Sequence, residues 1–276
     1  MNLLKKMLKD KLAILSILIL SVVLIGILFA GFLAPYDPNQ QDLINKLATP
    51  SSDHILGTDQ LGRDIFSRLL YGGRVTIILS LGIVFLILLI GLLFGSLAGM
   101  LGGTVDAGIM RLCDWILSLP SEMLSLCMIG ILGPSVLTII LALTIVRLPW
   151  YIKMIRSEIR NDQTKNYVIF SLVSGKSKSW VFKNHSWRPL SRSLVVYSTL
   201  DISAVIMSIS ALSFLGIGIQ PPTAEWGRML NDAREVAVIE PWQMIPAGVA
   251  LFLVVALLNY LSDVLTEAMH EVNWGE

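Results

Sequence analysis

Three stretches of this chain carry no charged residue: between Lys11 and Asp37, between Arg74 and Asp106, and between Glu240 and Asp263. Each exceeds the roughly 20 apolar residues that a helix needs to cross a bilayer. In lipid every backbone N–H and C=O must find a partner in the chain, so only helices and closed barrels span it. These runs are too long and too uniformly apolar for barrel strands. Three less pure stretches extend the pattern: 109–131 with Arg111, Asp114 and Glu122, 136–152 with Arg147, and 194–217 with Asp201. The expectation is an all-α membrane protein with six transmembrane helices. Composition agrees, with 54% hydrophobic and 15% charged residues, against roughly 25% charged in soluble domains. A net charge of +1 gives no reason to expect a nucleic-acid partner.

The charges that remain predict sidedness. Lys5, Lys6, Lys9 and Lys11 precede the first span, and a basic island from Lys153 to Arg192 holds nine Lys or Arg against Glu158 and Asp162. The segments 35–73 and 218–240 hold five bases and nine acids. Basic loops stay inside, so both termini and the island are expected in the cytoplasm. The first span is longer than a signal-peptide core and lacks a small-x-small cleavage site, so it reads as an uncleaved anchor. The expected segments are 1–34 (N-terminus and first helix), 35–73 (extracytoplasmic loop), 74–266 (transmembrane domain containing the loop 153–192) and 267–276 (cytoplasmic tail).

No G-x-x-x-x-G-K-[ST] phosphate loop, G-x-S-x-G elbow or H-E-x-x-H pair occurs, so no catalytic residue and no nucleotide site of its own are expected. His54, His185 and His270 fall in separate segments, and no metal site is expected. Cys113 and Cys127 lie in expected spans, which implies no disulfide framework.

Two polar segments have local order. In 54–68, Gly57 and Gly62 suit tight turns, Thr58 and Asp59 suit a cap, and Asp64 and Arg68 stand four apart like a helical ion pair. In the island, Val168 with Leu172 and Ile169 with Val173 give a short helix one apolar side. Gly175 suits its left-handed end, and Ser177 or Ser179 suits the cap of the next helix, which carries Trp180 and Val181. On residues alone, this hairpin also suits an amphipathic element held on a lipid surface by its lysines.

The run His54-Ile-Leu-Gly-Thr-Asp-Gln-Leu-Gly-Arg-Asp-Ile-Phe-Ser-Arg68 with Gly72-Gly73-Arg74, and Leu212-Ser-Phe-Leu-Gly-Ile-Gly-Ile-Gln-Pro-Pro-Thr-Ala-Glu-Trp-Gly227, resemble the C-type permease subunits of peptide and nickel ABC importers. The resemblance covers essentially the whole chain. It implies the type I ABC importer permease fold in the cytoplasmic (inner) membrane. It also implies a homologous second permease, two ATPase subunits that bind the ATP, and an extracytoplasmic solute-binding protein. Gly57, Thr58, Asp59, Gly62, Arg63, Asp64, Arg68, Glu225 and Trp226 are then expected on the face towards the binding protein. The island becomes the coupling loop to the ATPase, with Tyr167, Val168, Leu172, Gly175, Ser177 and His185. In the common family pattern a Tyr-Val-Glu-Ala-Ala run precedes the glycine. Here Ile169-Phe170-Ser171 replace Glu-Ala-Ala, and the later proline is displaced to Pro189.

Within the family, Met128-Ile-Gly-Ile-Leu-Gly133, Trp150-Tyr-Ile-Lys-Met-Ile-Arg-Ser157 and Thr199-Leu-Asp-Ile202 are closer to the nickel permease than to peptide ones. Nickel, free or chelated, is the expected substrate, with dipeptides or oligopeptides as the alternative. Met123 and Cys127 share a helix face, and carboxylate and sulfur suit transient contact with a divalent ion. They suit gap-filling between helices equally. Glu122, Met123, Cys127 and Asp201 are the pathway candidates. An ion-coupled secondary transporter is the reading from another class, opposed by the lack of an inverted repeat.

Overall fold

A computed structural model describes residues 10–273, with side chains to residue 268. The readings on Lys5, Lys6, Lys9, the His270 side chain and the last three residues lie outside the described residues. The described chain is helical, with no strand among its elements. The helices are α1 (Lys11–Leu28), α2 (Ala30–Leu33), α3 (Ile65–Leu101), α4 (Gly103–Leu117), α5 (Ser121–Leu132), α6 (Val136–Gln163), α7 (Asn166–Val173), α8 (Lys178–Val181), α9 (Trp187–Phe214), α10 (Trp226–Glu235) and α11 (Met244–Asn273).

Five helical stretches are long and apolar enough to cross a membrane, and α4 with α5 make a sixth if that bent pair is one span. The expected third span is therefore not a straight rod. Its halves meet at 85°, because Pro120 has no N–H to continue the ladder of α4. Two other expected boundaries also move. α3 starts at Ile65, inside the segment expected to be loop up to residue 73, because the Asp64 carboxylate accepts from the Ser67 N–H at 2.8 Å and caps its first turn. α6 runs on to Gln163, carrying Lys153, Arg156 and Arg160 beyond the apolar stretch, where Asp114 and Asp106 meet them. Large apolar side chains such as Leu12, Phe85, Ile131 and Phe252 stay exposed, as lipid-facing positions require.

The chain divides into two compact units: 1–82 with 129–139 and 199–276, and 83–128 with 140–198. In the first unit, α1 packs along α11. Asp10 caps α1 through the N–H groups of Leu12 and Ala13 and also accepts from the Tyr260 hydroxyl at 2.8 Å. The core gathers Ile27, Ile65, Ile77, Ile206, Leu251 and Val254 around a buried Trp226. Gly73 makes room for that ring, since a Cβ there would stand 2.5 Å from it.

In the second unit, Gly91, Gly95 and Gly99 form a stripe at four-residue spacing along α3. Ideal Cβ atoms on them would approach Tyr151, Ile155 and Ile159 of α6 to 3.1, 2.8 and 3.0 Å. Small residues let membrane helices pack through backbone contact, where burial supplies no drive between helices already in lipid. That close pair fixes the end of α6, from which the basic island departs.

Candidate functional site

The basic island folds as a helical hairpin inside the second unit. Its anchor is Asp162, buried on the last turn of α6. Its carboxylate accepts from the Tyr167 hydroxyl at 2.7 Å and the Ser186 hydroxyl at 2.6 Å, and pairs with Lys165 at 2.9 Å. One carboxylate therefore holds both ends of the hairpin. The hydrogen bond to Asp162 pushes the Lys165 ammonium above the usual lysine range, and burial followed by the same carboxylate pushes the Tyr167 phenol up.

Helix α7 ends on Gly175 at φ 84°. The Gly175 N–H donates to the Leu172 carbonyl at 3.0 Å, and the Lys176 N–H to the Ser171 carbonyl at 3.1 Å. This is the Schellman arrangement, which satisfies carbonyls that a helix end otherwise leaves bare. Ser177 accepts from the Trp180 N–H at 3.2 Å and caps α8. A five-residue π turn, Phe182–Ser186, then leads into α9. Between the arms, the His185 ring lies 5.2 Å from that of Tyr167 and 5.5 Å from that of Trp180, with Nε2 at 3.1 Å from the Ser171 hydroxyl.

The hairpin brings together all six residues expected there, in different roles. Val168 points inward and is fully buried, whereas Tyr167, Leu172, Gly175 and Ser177 are exposed and His185 is half-buried. The apolar pairing expected along α7 does not form one buried side. Only Val168 is covered, and Ile169, Phe170, Leu172 and Val173 face outward. Sequence reasoning missed Asp162 and Ser186. The available signal was that Asp162 is one of only two acids in the island.

A second polar cluster, in the first unit, joins the 54–68 loop to α10. Asp59 accepts from the Arg63 Nε at 2.6 Å, and Arg63 Nη2 reaches Asp232 at 2.9 Å. Arg228 pairs with the other oxygen of Asp232 at 2.8 Å. Arg68 lies between the same carboxylates at 3.6 Å from each and donates to the Pro38 carbonyl at 3.0 Å. A cavity of about 20 Å³ beside Asp59, Arg68, Asp232 and Gln243 is large enough for one water molecule. Glu225, fully buried, caps α10 by accepting from the N–H groups of Gly227 and Arg228 and also accepts from the hydroxyls of Thr76 and Ser210. Gln243 donates to the Thr58 carbonyl at 3.2 Å.

Two expectations change here. The Asp64–Arg68 helical pair does not form: Asp64 is occupied by the helix cap and by His54 Nδ1 at 2.9 Å, and Arg68 turns to Asp59 and Asp232. Residues expected on a partner-facing surface are instead inside. Thr58, Asp59, Arg63, Asp64, Arg68, Glu225 and Trp226 are all buried. Gly57 and Gly62, at φ 71° and 72°, turn the backbone where a Cβ would strike the carbonyls of Ala48 and Asp42. These residues set the shape of the loop.

The pathway candidates divide between the units. Glu122, Met123 and Cys127 are exposed on α5, with Glu122 accepting from the Ser121 hydroxyl at 2.7 Å. Met123 and Cys127 share a helix face as their spacing requires. Asp201 is half-buried on α9, in the other unit. Among the described residues no group of three or more His, Cys, Asp or Glu could hold a metal ion.

The family described as binding-protein-dependent transport system inner membrane component matches residues 91–271, and the N-terminal TM domain of oligopeptide transport permease C matches residues 2–50. The chain belongs to this permease family. It is 38% identical to a nickel transport system permease protein of Escherichia coli (strain K12), over 92% of this chain and 91% of the relative. A probable D,D-dipeptide transport system permease of the same organism is 36% identical over 91% of this chain and 85% of the relative. A metal-staphylopine import system permease of Staphylococcus aureus (strain NCTC 8325 / PS 47) is 36% identical over 98% and 93%. The chain is thus an ABC importer permease of the type I fold, a multi-pass protein of the cytoplasmic membrane. That class sets aside the ion-coupled secondary transporter.

Proposed function

We propose that this permease imports nickel, as the free ion or as a chelate. The observation that carries the reading is near full-length similarity to a nickel permease, joined by similar identity to a permease for a metal-staphylopine complex. Two separate ATPase subunits would bind the ATP, a homologous second permease would complete the pathway, and an extracytoplasmic binding protein would deliver the substrate. The 153–192 loop would face the cytoplasm and receive the ATPase stroke through α7, Gly175 and α8. In support, the hairpin has a fixed shape tied to α6 through Asp162 and exposes apolar side chains on a short helix. Glu122, Met123 and Cys127 on α5, and Asp201 on α9, remain the pathway candidates of this reading.

Peptide import is the second reading, favoured by the 36% identity to the D,D-dipeptide permease. Paired uptake decides between them. Deletion of this chain is expected to abolish accumulation of radioactive nickel and to leave dipeptide uptake unchanged. Loss of dipeptide uptake with intact nickel uptake would select the peptide reading.

A further inference from the structure

The exposed hairpin has one sign of charge. From Gln163 to Leu200 the chain holds no acid and six bases: Lys165, Lys176, Lys178, Lys183, Arg188 and Arg192. Lys165 is held by Asp162, and Lys178 Nζ donates to the Met100 carbonyl at 3.0 Å. Among the described residues no ion pair involves Lys176 or Lys183, which are both exposed. The Lys176 ammonium sits 5.1 Å above the Trp180 ring, which steadies it at the tip of the hairpin. On the same hairpin Phe170 and Val173 are 74% and 82% exposed.

Side chains of both kinds on one rigid element specify the surface that covers them. Phe170 and Val173 call for an apolar floor. Ammonium groups carried into such a contact lose water, and only opposite charge compensates that loss. We propose that the ATPase groove receiving this loop has an apolar floor for Phe170 and Val173 and carboxylates facing Lys176 and Lys183. The proposal rests on the coupling-loop reading above and adds the polarity of the partner. An anionic membrane surface would attract the same lysines, but it makes no use of a hairpin locked by the Gly175 turn, the Ser177 cap and the Asp162 tie.

The test uses the assembled transporter in phosphatidylcholine vesicles, with and without added phosphatidylglycerol. Permease carrying Lys176→Glu and Lys183→Glu is stripped of ATPase subunits and titrated with them over a range of salt. In both lipids the expected result is affinity weaker by about tenfold and a flatter salt dependence, with Lys176→Gln and Lys183→Gln intermediate. In parallel, a Phe170→Cys chain is expected to cross-link to the ATPase. Cross-linking with affinity and salt slope unchanged by charge reversal would overturn the acidic groove and leave the docking intact. Absence of the cross-link would overturn both. An effect confined to phosphatidylglycerol vesicles would assign the lysines to lipid and overturn the proposal.

Discussion

The Asp162 carboxylate accepts a hydrogen bond from the Ser186 hydroxyl at 2.6 Å across 24 residues of chain. Everything in the hairpin lies between these two points, so its position relative to α6 depends on them. Asp162→Ala would strip a partner from Ser186, Tyr167 and Lys165 together, and the buried Ser186 hydroxyl left unmet costs about 1–3 kcal/mol. Limited proteolysis at the exposed Lys176 and Lys178 is expected to quicken several-fold, whereas Ser186→Ala gives a smaller change. Equal cleavage rates in all three proteins would show that the hairpin is held elsewhere.

Gly175 adopts φ 84°, a region that proline, with φ fixed near −65°, cannot enter. Its N–H is also committed to Leu172. Gly175→Pro is expected to leave membrane insertion intact and to abolish substrate-stimulated ATP hydrolysis in the purified complex. Gly175→Asn, which tolerates the left-handed region, should retain most of it. Full stimulation in the proline variant would remove the turn from the coupling mechanism.

Glu225 is buried with two hydroxyls and two backbone N–H groups on its carboxylate. Glu225→Ala leaves these buried donors without their carboxylate, at about 3 kcal/mol or more. Thermal denaturation of the complex should shift down by several degrees. Glu225→Gln keeps the shape and should fall between the alanine variant and wild type. A melting curve unchanged by alanine would mean that the cluster contributes nothing to stability.

The glycine stripe on α3 gives a fourth kind of test. A Cβ at Gly95 would meet the Ile155 Cβ at 2.8 Å and the Ile152 carbonyl oxygen at 3.0 Å, so the helices must separate to admit even alanine. Gly95→Leu is expected to lower the yield of folded permease by at least severalfold. Gly82→Leu, with no atom near its Cβ position, should be silent. Fluorescence-detected size-exclusion chromatography of both variants checks the contrast.

Hydropathy and charge placed the spans in the sequence, since lipid permits few backbone solutions, and the glycine-and-cap pattern marked the hairpin between Val168 and Ser177. Sequence could not show that Asp59, Arg63 and Arg68 are interior. Polar residues in a loop look exposed until their partners are known, and Asp232 lies 169 residues from Arg63. The bend of α4 against α5 was written in Pro120, but the apolar content on either side hid it. Asp162 was overlooked for a related reason. An acid next to many bases looks like ordinary charge balance, and only the fold shows that it ties two ends of a loop.

The pairing of Arg63 with Asp232 also sets an order of events during synthesis. The first partner of this cluster leaves the ribosome long before the second exists, and domains fold as their parts become available. Until α10 is made, Arg63 and Arg68 lack the Asp232 carboxylate, so the loop cannot reach its final form early. The completed charge cluster is consequently a late product of biogenesis. A chain stopped before Glu225 would expose a half-built charge cluster to quality-control proteases, even with its early helices already in the membrane.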